Sequence, residues 1–367
     1  MRSSPACCSP LRPAELAPTS TDHLRQEGPS VSHSTSAPLP HDVGKVRSLR
    51  RSTTSDGFFT LCAIDHLSDF QILIDDDPST VTYEQTVAGK HRVIDGLRES
   101  VSGFLVDPQY SYAQSVLSDA IGSDIGVMVS LEDDGYLGDA TERATRMRET
   151  WSIRQAKLAG ADVAKLLWFY RPESPFAAQQ RDLVSALAKE AADWAMPLVV
   201  EPIWHPLAGE DPTSSEWKQA RIDGIVESGR LAVELGADVL KTEFPGYLGA
   251  GGDVTRAEDA LAQLDAAIDV PWVILSAGVD FAEFADQVEL SSKAGSSGWL
   301  AGRSIWREAG TATTDEAWNI GIELARQRLR DLTDITRAHA RPYRPSLSAE
   351  SVSSGWYETY HAEAARA

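Results

Sequence analysis

The chain has 367 residues, 42% hydrophobic and 24% charged, with 26 Gly and 19 Pro, which suits one large globular domain or two ordinary ones. A formal charge of −20 excludes nucleic acid and anionic membrane as generic partners, but not a small anion held by a few local cations. Cys7, Cys8 and Cys62 are too few for a disulfide framework. No apolar run reaches the roughly 18–20 residues that span a bilayer, so a reduced, cytoplasmic protein is expected.

Residues 1–55 hold seven of the 19 prolines, no aromatic residue, and a small excess of Arg and Lys over Asp and Glu. Such a segment buries too little apolar surface to offset its ordering entropy, and it is expected to be a disordered tail.

From residue 58, short apolar runs alternate with longer stretches at helical spacing. The expected strands are Phe59–Asp65, Ser102–Asp107, Ile125–Glu132, Asp162–Phe169, Pro197–Ile203, Ala237–Glu243, Pro271–Gly278 and Ser297–Gly302. They are apolar through most of their length, as parallel strands under helices must be. Expected helices include Asp139–Ala159, Phe176–Ala195, Glu216–Gly236, Thr255–Ile268 and Phe281–Ala294, with Gly160 and Gly236 as left-handed caps. Eight strand–helix units predict an α/β fold of (β/α)8 TIM-barrel type over residues 56–332, followed by a C-terminal extension, 333–367. The rival, a doubly wound open sheet, lacks its GxGxxG fingerprint, since the first strand runs into Ile64-Asp65-His66-Leu67.

In a barrel of this kind, chemistry sits at the carboxyl ends of the strands. Those ends carry Asp65 and His66, Asp107, Glu132 and Asp133, Lys165, Glu201 with His205 beyond it, Lys241 and Glu243, Ser276, and Arg303. Lysines within strands are the anomaly, because Lys is rarely buried without a partner or a purpose. A structural ion-pair cluster would explain Lys165, Glu201 and Lys241. So would a Schiff-base site, in which a lysine amine attacks a carbonyl and a carboxylate moves protons. Lowering a lysine pKa from about 10.4 to about 7 asks for roughly 4 kcal/mol of destabilisation of the ammonium, which burial and a second amine supply. On this reasoning either lysine serves as the nucleophile.

The segments Asp162–Phe169 (DVAKLLWF), Val199–Ile203 (VVEPI), Ala237–Pro245 (ADVLKTEFP) and Ile274–Val279 (ILSAGV), with Ala301-Gly302-Arg303, resemble the class I tagatose-1,6-bisphosphate aldolase family, which includes sulfofructose-phosphate aldolases. The resemblance runs in order from about residue 58 to 332. It implies that Lys241 is the Schiff-base lysine, Glu201 the acid/base, Lys165 an assisting lysine and Asp65 an orienting carboxylate, with no metal and no cofactor. The implied reaction cleaves a phosphorylated ketose to dihydroxyacetone phosphate and an aldehyde. The alternatives are a monophosphorylated or sulfonated ketose, or a non-catalytic sugar-phosphate-binding regulator.

Independently of the resemblance, Ser276, Gly278, Gly302 and Arg303 follow the seventh and eighth strands, where this fold commonly builds a phosphate site. Where the family follows its strand-one aspartate with Gln-Arg, this chain has His66-Leu67. A second anionic group on the substrate would then need other partners, and Arg171 and His205 are the candidates. Trp204 is a candidate wall of the pocket. The expected partner is a small sugar phosphate, with a homo-oligomer open through the C-terminal extension.

Overall fold

The computed structural model describes residues 42–360, apart from 139–140, 250–251 and 347. Residues 1–41 of the expected disordered tail (1–55), residues 361–367 of the extension and the centre of the Gly249–Gly252 loop lie outside the described residues. Among the described residues there are ten strands: β1 (Phe59–Ala63), β2 (Gly103–Val106), β3 (Gly126–Ser130), β4 (Glu132–Leu137), β5 (Ala144–Met147), β6 (Val163–Phe169), β7 (Leu198–Ile203), β8 (Val239–Thr242), β9 (Trp272–Ile274) and β10 (Gly298–Ala301). All but β4 and β5 close into a parallel barrel in the circular order β1, β2, β3, β6, β7, β8, β9, β10. The eight expected strands are these eight.

Side chains alternate along each strand and so divide the core in two. On β6, Ala164, Leu166 and Trp168 face the helices, while Val163 belongs to the barrel interior with Val199, Val239, Val273, Leu61, Leu105 and Met128. Two residues further along β6, β7 and β8, the same inward positions are Lys165, Glu201 and Lys241. The helices Ala177–Asp193, Ser215–Glu234, Val254–Ala267 and Phe281–Ala294 fall where the apolar periodicity puts them. Ser214, Asp253 and Asp280 cap three of them, each side chain accepting a backbone N–H of the first turn. No helix among the described residues is long and apolar enough to cross a membrane.

Three expectations are corrected. The helix expected over Asp139–Ala159 is helical only at Ile153–Ala159, and β4 and β5 form an antiparallel hairpin before it. Tertiary contact overrides local propensity there: the Thr145 hydroxyl donates to Leu167 O (2.7 Å) and accepts from Phe169 N (3.0 Å), fastening β5 to β6. The real helix starts at the Ser152 cap, whose side chain accepts from Gln155 N, and ends at Gly160 with φ of 95°. Second, residues 43–51, placed in the tail by composition, form a helix capped by Asp42. Lys45 pairs with Asp238 (2.8 Å) and Arg51 with Asp162 (3.2 Å), partners that composition cannot reveal. Third, the boundary at 332 falls inside one continuous helix, Asp315–His339.

The two ends of the described chain form the floor of the barrel. Leu49 from the first helix and Tyr343 from the extension pack into the interior cluster, with the Tyr343 ring 5.9 Å from that of Phe59. Arg341 N donates to Ser296 O and Tyr343 N to Gly57 O, which seats the extension. Tyr343→Ala is expected to cost about 3 kcal/mol of unfolding free energy by leaving a cavity there. Tyr343→Phe should be neutral or stabilising, because the buried Tyr343 hydroxyl has no hydrogen-bond partner among the described residues. Urea unfolding of both variants checks this, and equal destabilisation by the two would refute the packing account.

Candidate active site

The ladder places the ionisable residues. Val199 pairs with Val239 across β7 and β8, so Glu201 and Lys241, two residues on, face each other. Glu201 then lies between the two lysines: Oε1 is 2.7 Å from Lys241 Nζ and Oε2 is 2.8 Å from Lys165 Nζ. Lys165 Nζ also reaches Glu132 Oε1 (2.6 Å) and Asp65 Oδ2 (3.1 Å). The relative exposure of Lys165 and Lys241 is 2% and 5%. The four residues expected to act together, Asp65, Lys165, Glu201 and Lys241, are thus in one buried cluster.

The electrostatics differ for the two lysines. Burial alone would lower the pKa of Lys165, but Glu132, Glu201 and Asp65 outweigh it and hold the ammonium well above the ordinary lysine range. Burial also opposes ionisation of Asp65 and Glu201, yet Lys165 and Lys241 keep both carboxyls below their usual range, with His66 adding to the effect on Asp65. Lys165 is therefore a fixed cation among three carboxylates. Lys241 shares one carboxylate and keeps its amine toward the cavity.

That cavity, about 680 Å³, opens at the carboxyl ends of the strands and is lined by all eight residues expected to form the site. Ser276, Ala277 and Gly278 follow β9. Ala277 (φ 46°) and Gly278 (φ 76°) are both left-handed, a conformation that Gly adopts freely and Ala only under strain. Gly302 precedes the helix Arg303–Gly310, so Arg303 stands at a helix N-terminus. Its Nη1 is 2.8 Å from Asp69 Oδ2.

Arg171, His205 and Trp204 are not at the cavity. Arg171 is buried, held in a two-pronged bond by Glu210 (2.7 and 2.7 Å), and stacked 4.2 Å over the Trp204 ring. Its Nη1 also donates to His205 O (2.7 Å), and its Nε donates to Glu173 Oε2 (3.3 Å). The three residues brace the loops after β6 and β7 and do not replace a missing anion ligand. Asp107, another strand-end acid, pairs with the fully buried Lys90 behind the site, and Glu243 is taken up by Arg221 and Trp204 N.

Sequence reasoning gave no role to three charged or titratable lining residues, two of them seen at strand ends. Glu132 was visible as a strand-end acid without a role; it accepts from Lys165 and from Leu167 N (3.1 Å). His66 packs against Gly302, where a Cβ would meet its Cε1 at 2.7 Å. Arg143 lies in the hairpin taken for a helix, with its guanidinium 5.7 Å from the Phe169 ring centre. In an eight-strand ring β3 and β6 stand opposite β9 and β10, so Arg143 is across the mouth from Ser276 and Arg303.

A closed barrel with a lysine–carboxylate centre at its carboxyl end is a carbonyl-chemistry scaffold, and comparison with known proteins agrees. The DeoC/LacD family aldolase profile matches residues 64–308, so the chain belongs to that family and is a carbon–carbon lyase. The chain is 27% identical over 302 residues to a tagatose 1,6-diphosphate aldolase of Staphylococcus epidermidis, spanning 78% of this chain and 91% of that one. A tagatose 1,6-diphosphate aldolase of Streptococcus mutans is 25% identical over 333 residues, 83% and 98% of the two chains. Among solved structures, a Schiff-base-forming fructose-1,6-bisphosphate aldolase shares the fold, with a TM-score of 0.53 at 18% identity over 78% of this chain and 99% of that one.

Burial lowers two imidazoles, His66 and His205, from the ordinary 6.5 to about 4. The unfolded chain therefore binds two protons in a range where the folded chain refuses them. Stability is complete above about pH 6.5 and is expected to fall toward pH 4 with a slope approaching about 2.7 kcal/mol per unit. Asp65 and Glu201 carry the loss to lower pH. Urea midpoints from pH 7.5 to 5 test this, and a flat profile would contradict the burial of both rings.

Proposed function

We propose that the protein is a class I aldolase that cleaves a phosphorylated ketose, such as tagatose 1,6-bisphosphate, to dihydroxyacetone phosphate and an aldehyde. The observation that carries this reading is the unequal sharing of carboxylates. With three around Lys165 and one beside Lys241, Lys241 is the amine able to lose its proton. Once that proton passes to Glu201 across 2.7 Å, Lys165 still faces Asp65 and Glu132, so the second cation remains balanced.

The free amine attacks the C2 carbonyl, and the N–C bond forms as the C=O pair moves onto oxygen. That oxygen takes one proton from the amine and one from Glu201 and leaves as water, giving an iminium. Glu201, again a carboxylate, accepts the C4 hydroxyl proton. The C3–C4 bond breaks, the aldehyde departs, and the electron pair enters the iminium to form an enamine. Protonation at C3 and hydrolysis return Lys241 and release dihydroxyacetone phosphate. Lys165 keeps its proton throughout and holds Glu201 in place, and Asp65 and His66 orient substrate hydroxyls. Ser276, Gly278, Gly302 and Arg303 grip the phosphate next to C1, and Arg143 receives the far end.

Sodium borohydride with dihydroxyacetone phosphate should reduce an adduct onto Lys241, seen by peptide mass, with EDTA making no difference. Lys241→Ala should lose both adduct and turnover; an adduct on Lys165, or none, would overturn the reading. Arg303→Ala should raise KM about tenfold or more, as expected for loss of a charge-assisted bond. Arg143→Ala should lower kcat/KM for a ketose bisphosphate more than for the ketose 1-phosphate; equal losses would remove Arg143 from the distal end.

A further inference from the structure

Arg303 does not present an open guanidinium. Its two terminal nitrogens face different partners: Nη1 meets Asp69 Oδ2 at 2.8 Å, while Nη2 lies on the Gly278 side, 3.9 Å from where a Cβ on Gly278 would be. A two-oxygen grip on a phosphate needs adjacent nitrogens of the fork. End-on, that grip takes Nη1 and Nη2 together, so the Asp69 carboxylate stands where one phosphate oxygen would go; a side-on grip through Nε and Nη2 would leave phosphate and carboxylate sharing one cation, like charges on the same guanidinium. Asp69 is 53% exposed and Arg303 31%, so the carboxylate has water to move into when it leaves. Asp69 belongs to the short helical turn Ser68–Gln71. That turn is tied to the hairpin rim by Ser68 N and Oγ, which both donate to Asp134 (3.2 Å each).

We propose that Asp69 is a specificity-determining residue: it holds the substrate anion's place on Arg303 until a phosphorylated ligand displaces it. The proposal rests on the reading of Arg303 as the anion grip. Asp69 lowers affinity for any anion by the strength of its own pair, and it selects for ligands whose anion offers Arg303 two oxygens at once.

Calorimetric titration with inorganic phosphate tests this on the full chain in four forms: unaltered, Asp69→Asn, Arg303→Ala, and the double variant. Asp69→Asn should tighten phosphate about threefold to fivefold, the worth of an exposed ion pair, and should have no effect once Arg303 is alanine. In turnover, Asp69→Asn should lower KM for phosphorylated substrates by a similar factor while kcat changes less. Unchanged or weaker phosphate binding in Asp69→Asn would overturn the proposal, and weaker binding would mean that Asp69 positions Arg303 for the anion. If Arg303→Ala does not weaken phosphate binding, the anion-grip reading fails first and takes the proposal with it.

Discussion

One carboxylate held between two ammonium groups organises the top of this barrel. Glu201 bridges Lys165 and Lys241, and it is the carboxylate that Lys241 is paired with. Taking an ion out of water costs several kcal/mol, and only close opposite charges offset it. The five charged side chains are therefore coupled unequally: Lys165 keeps Asp65 and Glu132 if Glu201 is lost, whereas Lys241 loses its paired carboxylate. The network also makes two chemically identical lysines unequal, one among three carboxylates and one beside a single carboxylate.

Below this network the interior is apolar, closed by a floor that Leu49 and Tyr343 complete. The dry interior below and the charged cluster above come from the same strands, two residues apart, because inward positions recur with a period of two. The acidic character of the chain is compatible with the proposed anion site. Arg303 and a helix N-terminus would act locally there, and solvent screens more distant charges beyond about 8–10 Å.

Much of this was legible in the sequence. The eight strands were visible as apolar runs, and lysine and glutamate inside Val163–Phe169, Leu198–Ile203 and Val239–Thr242 were conspicuous because such residues are seldom buried. The choice between Lys165 and Lys241 was not legible from the residues alone. It depends on Glu132, whose carboxylate turns back to Lys165 and Leu167 N, a contact without any local signature. The hairpin was misread because, besides its own pairing, its β-structure is fastened by Thr145 to β6, a contact without local signature. Arg143 was lost with it. The first helix was missed because its partners, Asp162 and Asp238, are more than a hundred residues away.

That hairpin enters and leaves between two strands that pair directly with each other, Met128 with Val163 and Ser130 with Lys165. Its length and composition can drift without altering the stagger of the barrel. Change at the tip would reshape the proposed aldehyde end, while Glu132 at the root of the hairpin keeps its hold on Lys165, a division of labour between a replaceable visor and a fixed anvil.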